Sequence, residues 1–318
     1  MSEEKLEKIN TITGFMKKIN KIKELERYKK IEKNDENTHK FTIDLFYRGH
    51  SNSNYQLVPS IERLNKYINF SIAALEISLI RSAKNEYPIL FSETGNPLDL
   101  IVKLQHYGIP TRLLDITSNP LVALYFACED KNNPDNDDKD GEIFIFGSEY
   151  EATYNNILVD RLIRLICRKD VYMTGSIHIN HLFSNLFDSK IINTKDMEEI
   201  IKDNNCEEVL MKTINKIHFI YPPRLFERLY LQHGYFILFL NDSEYDDKKK
   251  TLNQGDNLSP IPKNHKNIIA RYIIPAKSKK HLLEELKMLN ITESTLFHDD
   301  VDKVCKNIVA DFKGRYGK

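Results

Sequence analysis

Residues 103–130, KLQHYGIPTRLLDITSNPLVALYFACED, combine two helix boundaries with a short apolar segment between them. Gly108 and Pro110 are residues that end helices, so the helical pattern before them is predicted to stop there. Pro120 suits the first turn of a second helix, and the polar residues 117–119 can cap it. The N–H groups and the dipole at such a helix start favour an anionic ligand. The stretch therefore predicts two helices with polar groups gathered between them.

The composition is that of an ordinary folded protein, with 318 residues, 41% hydrophobic and 29% charged. Lys and Arg number 46, as do Asp and Glu, so the zero net charge argues against broad electrostatic binding to DNA, although a local basic patch can still contact a nucleic acid. The four cysteines lie far apart, with no CxxC pair that would indicate a zinc finger or a redox centre. No apolar run has the length of a membrane span, and the start does not resemble a secretory signal, so a cytoplasmic location is expected.

The pattern divides the chain into three parts. Residues 1–38 are predicted to form an N-terminal amphipathic helix, which either docks on its own domain or contacts a partner. Residues 39–300 are predicted to form the main domain, with a helical insertion at about 150–216. Residues 301–318 are assigned to a C-terminal segment, and the helical pattern there covers residues 299–312.

Strand patterns separated by helix patterns predict an α+β fold, with a small, mixed and mainly antiparallel sheet surrounded by many helices. Residues 41–47, 141–146 and 268–274 are β-rich, and a strongly apolar strand follows Gly234. A short helix is predicted to start at Pro222-Pro223, and residues 241–267 are predicted to be a loop.

Three polar residues stand at the ends of these elements, and each has a functional and a structural interpretation. Arg48 ends the first strand and can bind a ligand or form a buried pair with Asp115. Asp115 follows two leucines, so we expect a half-buried carboxylate that needs Arg48 or Arg112 as its partner. Gln232 lies at a turn, where it can contact a ligand or satisfy backbone groups. His106 can belong to the site or pack at the end of its helix.

No metal is expected. The acidic loop 131–140 lacks the spacing of an EF-hand, and His178 and His181 have no third ligand in the pattern.

The motifs resemble those of the FRG domain, a microbial domain named for its Phe/Tyr-Arg-Gly signature. They are FYRGH at 46–50, LVPSIER at 57–63, QHYGIPTRLLD at 105–115, PLVALYFA at 120–127, and then Arg228, Gln232, Gly234, Phe236, Leu296 and Phe297. The resemblance covers roughly residues 40–300. This chain has Ile116 where the family often has Trp, and His298 where it often has Pro.

A second resemblance, to mono-ADP-ribosyltransferases of the arginine-serine-glutamate class, implies a reaction and a fold like theirs. It consists of YRG at 47–49, ITSNPLVALYF at 116–126 and QHGYF at 232–236. By this resemblance NAD is the substrate, and the residues that bind it are expected to be Arg48, Gly49, His106, Thr111, Arg112, Thr117 and Ser118. Gln232 occupies the place of the catalytic glutamate. Because an amide carries no negative charge, Asp115 or Glu227 is expected to supply the carboxylate.

Two functions of different class follow. The first is ADP-ribosyl transfer from NAD to a macromolecular acceptor, protein or nucleic acid, by a toxin or phage-defence effector. The second is a non-catalytic nucleotide-binding or protein-interaction module with the same pocket. Under both, Arg48, Asp115, Thr117, Gln232 and His106 are predicted to converge on one pocket.

Overall fold

The structure is a computed structural model, and it describes residues 6–32, 44–68, 71–91, 97–129, 134–148, 175–178, 217–222, 226–246 and 248–297. The predicted helix over 299–312 and all but four residues of the insertion at 150–216 lie outside these ranges. None of the helices in the described ranges has both the length and the hydropathy needed to cross a bilayer.

The main sheet contains six strands. They are β1 (Asp44–His50), β2 (Leu113–Thr117), β3 (Gly141–Ser148), β5 (His218–Ile220), β6 (Gly234–Leu238) and β9 (Ile268–Ile274), in the order β5-β6-β2-β1-β3-β9. Every neighbouring pair is antiparallel. A second, three-stranded antiparallel sheet contains β4 (Gly175–His178), β7 (Ser243–Asp246) and β8 (Thr251–Gln254). The predicted α+β class with a mainly antiparallel sheet is confirmed.

One junction of the main sheet is much narrower than the others. β1 pairs with β2 at a single position, Tyr47 opposite Thr117. By contrast, β2 pairs with β6 at five positions and β1 with β3 at seven. We call the junction between β1 and β2 the seam. Because its backbone ladder stops after one pair, the seam leaves room for side chains between the two strands.

Helices cover both faces of the sheet. They are α1 (Ile12–Glu32), α2 (Ser60–Ile68), α3 (Ile72–Glu86), α4 (Pro97–His106), α5 (Pro120–Cys128), α6 (Glu227–Leu231), α7 (Ala276–Met288) and α8 (Glu293–Leu296). Successive residues of a strand point to opposite faces, so Ile143 and Ile145 enter the core below α1, α5 and α7. Phe144 and Phe146 enter the core below α2 and α3. Both faces of β3 are therefore buried.

The N-terminal segment packs on the domain. Phe15 and Ile19 of α1 are fully buried in the core with α5 and α7. Before the helix, Ile9 donates its N–H to the carbonyl of Ile273 at 2.9 Å, which adds a short parallel bridge to the edge strand β9. The apolar face of the predicted amphipathic helix is thus covered by this domain.

Two local predictions were wrong. The helix predicted from Pro222-Pro223 begins only at Glu227. The predicted loop 241–267 contains the β7–β8 hairpin, because Asp246 Oδ1 accepts the N–H groups of two following lysines and Lys250 adopts a φ of 52°. Within the range of the predicted helical insertion the structure describes only residues 175–178, which form β4 and pair with β8, so the prediction for the rest of that range stays a prediction.

Close packing of α5 on β1 explains why a glycine follows Arg48. A Cβ atom at Gly49 would lie 1.9 Å from the carbonyl oxygen of Ala123 and 2.6 Å from the amide nitrogen of Ala127. Both atoms belong to the backbone of α5, so they cannot move independently of the helix.

We therefore expect Gly49→Ala to lower the free energy of unfolding by about 2 to 3 kcal/mol, because α5 must shift as a body. Urea denaturation measures the loss. Gly234→Ala is the matched control, since its nearest contact is the side-chain tip of Leu229 at 2.9 Å, and it should lose less than about 1 kcal/mol. An equal loss in both variants would contradict the packing explanation.

Candidate functional site

A cleft of about 900 Å³ opens at the seam. Its walls come from β1, β2, α2, α5 and α6, and it includes side chains of both charge signs together with several aromatic rings. Sequence-distant elements meet here because β2 continues into the turn before α5, while β6 brings the turn after α6 to the same end of the sheet.

Arg48 reaches across the seam from β1 to β2. Its side chain is half-buried, its Nε donates to Nε2 of His50 at 2.9 Å, and its Nη1 donates to the backbone carbonyl of Asp115. A side chain thus replaces the backbone ladder where the strands separate. The Nη2 group of Arg48 makes no hydrogen bond to the part of the chain that the structure describes, and the residue lines the cleft.

Burial and charges of both signs act on Arg48 and on its neighbour His50. Burial lowers the pKa of Arg48 to about 10, the carboxylate of Asp115 opposes that change, and the charge of Arg63 adds to it. Burial, followed by the charges of Arg48, Lys263 and Arg63, holds the pKa of His50 well below its ordinary value. At neutral pH, Arg48 is therefore protonated and His50 is neutral, which allows His50 to accept the hydrogen bond from Arg48.

Asp115 is exposed in the cleft, and the prediction of a half-buried carboxylate paired with an arginine was wrong. Strand alternation directs its side chain away from the core that takes Leu114 and Ile116. Its Oδ1 accepts a hydrogen bond from Nε2 of Gln105 at 2.7 Å, and Gln105 accepts one from the hydroxyl of Thr111. A chain of hydrogen bonds therefore orients the carboxylate without neutralising it.

Gln232 lines the cleft, but its amide is occupied. The Nε2 group donates to the carbonyl of Leu296 at 3.0 Å, which ties the end of α6 to α8. The backbone carbonyl of Gln232 accepts the Thr117 hydroxyl at 2.7 Å, and Ser118 donates its N–H to the carbonyl of His233 at 3.1 Å. These contacts join the turn before α5 to the turn before β6, as the structural interpretation of Gln232 expects.

Five of the sequence-predicted residues lie outside the lining of the cleft, namely His106, Thr111, Arg112, Ser118 and Glu227. His106 stacks on the ring of Phe226, with centroids 3.8 Å apart and planes 8° from parallel. Arg112 is fully buried and forms an ion pair with Glu76. The predicted residues that the cleft does bring together are Arg48, Gly49, Asp115, Thr117 and Gln232.

The cleft also contains residues that sequence reasoning did not assign to the site. Arg63 and Lys66 project from α2, and Arg228 lies 5.9 Å from the ring of Phe297 on the opposite side. The sequence could have indicated Arg63 as a site residue, because it lies within the LVPSIER motif that follows Arg48 in the chain. Within the described residues, no group of three or more His, Cys, Asp or Glu side chains could hold a metal ion.

Comparison with known proteins identifies part of this chain. The family model of the FRG domain matches residues 44–136, so an FRG domain is present there. The matched range contains Arg48, α2 and Asp115, whereas Gln232 and Phe297 lie beyond it. No curated protein and no solved structure matches the chain.

Proposed function

We propose that the cleft binds a phosphate-bearing nucleotide of the NAD class. The observation that carries the proposal is the half-buried Arg48, which is held in place by His50 and the carbonyl of Asp115 and keeps one amino group available in the cleft. Arg63 lies near enough to lower the pKa of Arg48, although the carboxylate of Asp115 acts more strongly in the opposite direction. An anion in the cleft gains from the positive charges of both guanidinium groups.

The size and lining of the cleft support a nucleotide. Its volume of about 900 Å³ lies within the range of small-molecule and cofactor pockets. Phe126, Phe297 and Tyr235 line it and offer ring surfaces to a base. The Nη2 amino group of Arg48 can donate to phosphate oxygens while Nε and Nη1 hold the side chain in place.

ADP-ribosyl transfer is the second candidate, and the position of Asp115 favours it. In this reaction the bond from ribose C1′ to the nicotinamide nitrogen breaks, and its electron pair leaves with nicotinamide. The nucleophile of the macromolecular acceptor forms the new bond to C1′ and loses its proton. The exposed carboxylate of Asp115 stabilises the positive charge that develops on the ribose. Gln232 cannot do so, because it is an amide and is bound to Leu296. A toxin or phage-defence role belongs to this proposal.

Arg48→Lys tests the binding proposal. We expect the affinity for NAD to fall about 5- to 150-fold, a loss of about 1 to 3 kcal/mol, because the ammonium keeps the charge but loses the planar guanidinium contacts. Isothermal titration of the full chain with NAD, ADP-ribose and AMP measures the effect and separates the phosphate contribution from that of nicotinamide.

Arg81→Lys is the matched control, since Arg81 is exposed and does not line the cleft. Urea denaturation of each variant measures its free energy of unfolding and shows whether it is still folded. Absence of NAD binding to the wild type, or an unchanged affinity in a folded Arg48→Lys variant, would count against the proposal.

A further inference from the structure

One face of α2 forms a rim of the cleft that the nucleotide proposal does not use in full. Arg63, Lys66 and Tyr67 are three and four positions apart, which makes them neighbours on one side of a helix. All three are exposed and line the cleft, whereas Ile61 and Asn65 of the same helix are buried. We call Arg63, Lys66 and Tyr67 the α2 rim.

The cations of the α2 rim have no carboxylate partner in the described ranges. Arg63 Nη1 donates to the carbonyl of Val58 at 3.2 Å, and Lys66 Nζ donates to the side-chain oxygen of Gln56 at 3.3 Å. Both acceptors are neutral, so the two positive charges are not compensated. The carboxylate on the same helix, Glu62, is buried and accepts a backbone N–H.

Tyr67 is 90% exposed, beside these two cations. An aromatic ring that projects into solvent next to phosphate-binding cations is the arrangement by which proteins bind single strands. Bases stack on the ring while the cations follow the backbone. The two parts of the α2 rim therefore match the two parts of a nucleotide unit.

We propose that the α2 rim binds a single-stranded nucleic acid as the macromolecular partner of this cleft. The inference rests on the proposed nucleotide function, because it takes the cleft as the path from the rim to the nucleotide held near Arg48 and Asp115. A duplex keeps its bases stacked inside and offers nothing to Tyr67. An acidic peptide would use the cations alone. The exposed ring therefore favours a single strand.

The zero net charge of the chain is compatible with such a local contact, and it limits the expected salt dependence. Two phosphate contacts on a single strand give a slope of about −1.4 for log K against log salt, at about 0.7 for each contact. A general electrostatic association would be steeper. The slope of log K against log salt thus distinguishes binding at the α2 rim from general electrostatic association.

The test uses the full chain and fluorescein-labelled oligonucleotides of about 15 nucleotides, a length that exceeds most single binding sites. Fluorescence anisotropy follows binding of oligo-U and oligo-dT, of a duplex of equal length and of polyglutamate, each with and without NAD. Tyr67→Ala should weaken single-strand binding about 5- to 100-fold, and Lys66→Gln should make the salt slope shallower by about 0.7. Tyr87→Ala and Lys280→Gln are the controls, since both residues are exposed and lie outside the cleft, and neither should change binding.

Titration of the same variants with NAD keeps the two proposals distinguishable. If the wild type binds NAD but no single strand, or binds the duplex equally well, this inference fails and the nucleotide function stands. If polyglutamate binds better than either oligonucleotide, the partner is an acidic protein and the inference fails. Single-strand binding that Tyr67→Ala weakens, in a variant with normal NAD affinity, supports it, and the preference between oligo-U and oligo-dT identifies RNA or DNA. Strand binding without NAD binding overturns the nucleotide function instead.

Discussion

Glu76→Gln should lower the free energy of unfolding by about 3 to 5 kcal/mol, because it leaves a buried guanidinium without its counter-charge. Arg112 is fully buried, and its Nε and Nη2 donate to the two carboxylate oxygens of Glu76 at 2.9 Å and 2.7 Å. Its Nη1 donates to the carbonyl of Phe239 at 3.0 Å. The pair thus joins α3 to the start of β2 and to the segment after β6.

Guanidinium chloride denaturation measures this loss, and two controls define its cause. The double variant Glu76→Leu with Arg112→Met removes both charges and should recover most of the stability. Lys249→Gln breaks an ion pair with Asp246 whose lysine side chain is 77% exposed, and it should change stability by less than about 0.5 kcal/mol. If Glu76→Gln loses no more than Lys249→Gln, the buried pair is not what stabilises this part of the core.

Asp115→Asn should lower nicotinamide release from NAD about 100- to 1000-fold while the affinity for NAD changes less than about tenfold. Asparagine keeps the shape of the side chain and an oxygen that can accept the hydrogen bond from Gln105. The variant loses the negative charge, which matters most when the ribose becomes cationic. The effect should therefore appear in kcat and not in KM.

The measurement is release of nicotinamide and transfer of labelled ADP-ribose to cell extracts, including extracts of phage-infected cells. Asp256→Asn is the matched control, because Asp256 is exposed and does not line the cleft. If the wild type releases no nicotinamide with any extract, transfer is ruled out. A non-catalytic nucleotide-binding or protein-interaction module is then the function that remains.

Local chemistry explains which elements could be predicted from the sequence. Pro97 begins α4, Asn119 caps α5 by accepting the N–H of Leu121, and Gly108 has a φ of 82° after the helix end. Each of these signals lies within a few residues of the boundary that it marks. The β7–β8 hairpin was missed because its strands, SEYD and TLNQ, are polar and offer little of the apolar alternation that indicates a strand.

The sequence placed Arg48 and Asp115 at the ends of elements, whereas they lie within β1 and β2, and it could not predict contacts between residues that are distant in the chain. Arg48, Asp115 and Gln232 line one cleft because the strands beside them meet at the seam. Arg112 had the sequence context of a ligand-binding residue, yet its partner Glu76 lies 36 positions away. Gln232 bonds to Leu296, 64 positions later. A residue's neighbours in sequence carry no information on such contacts.

The seam also divides the sheet into two halves that share few backbone hydrogen bonds. One half of the sheet contains β1, β3 and β9, and the other half contains β2, β6 and β5. Within each half the strands are joined by ladders of backbone hydrogen bonds. Among the described residues of the sheet, one backbone pair and the side chain of Arg48 connect the two halves. A ligand that binds both strands would stabilise the closed sheet by RT ln(1 + [L]/Kd), so the stabilisation would grow with ligand concentration. A ligand bound at the seam would thus also hold the two halves of the sheet together.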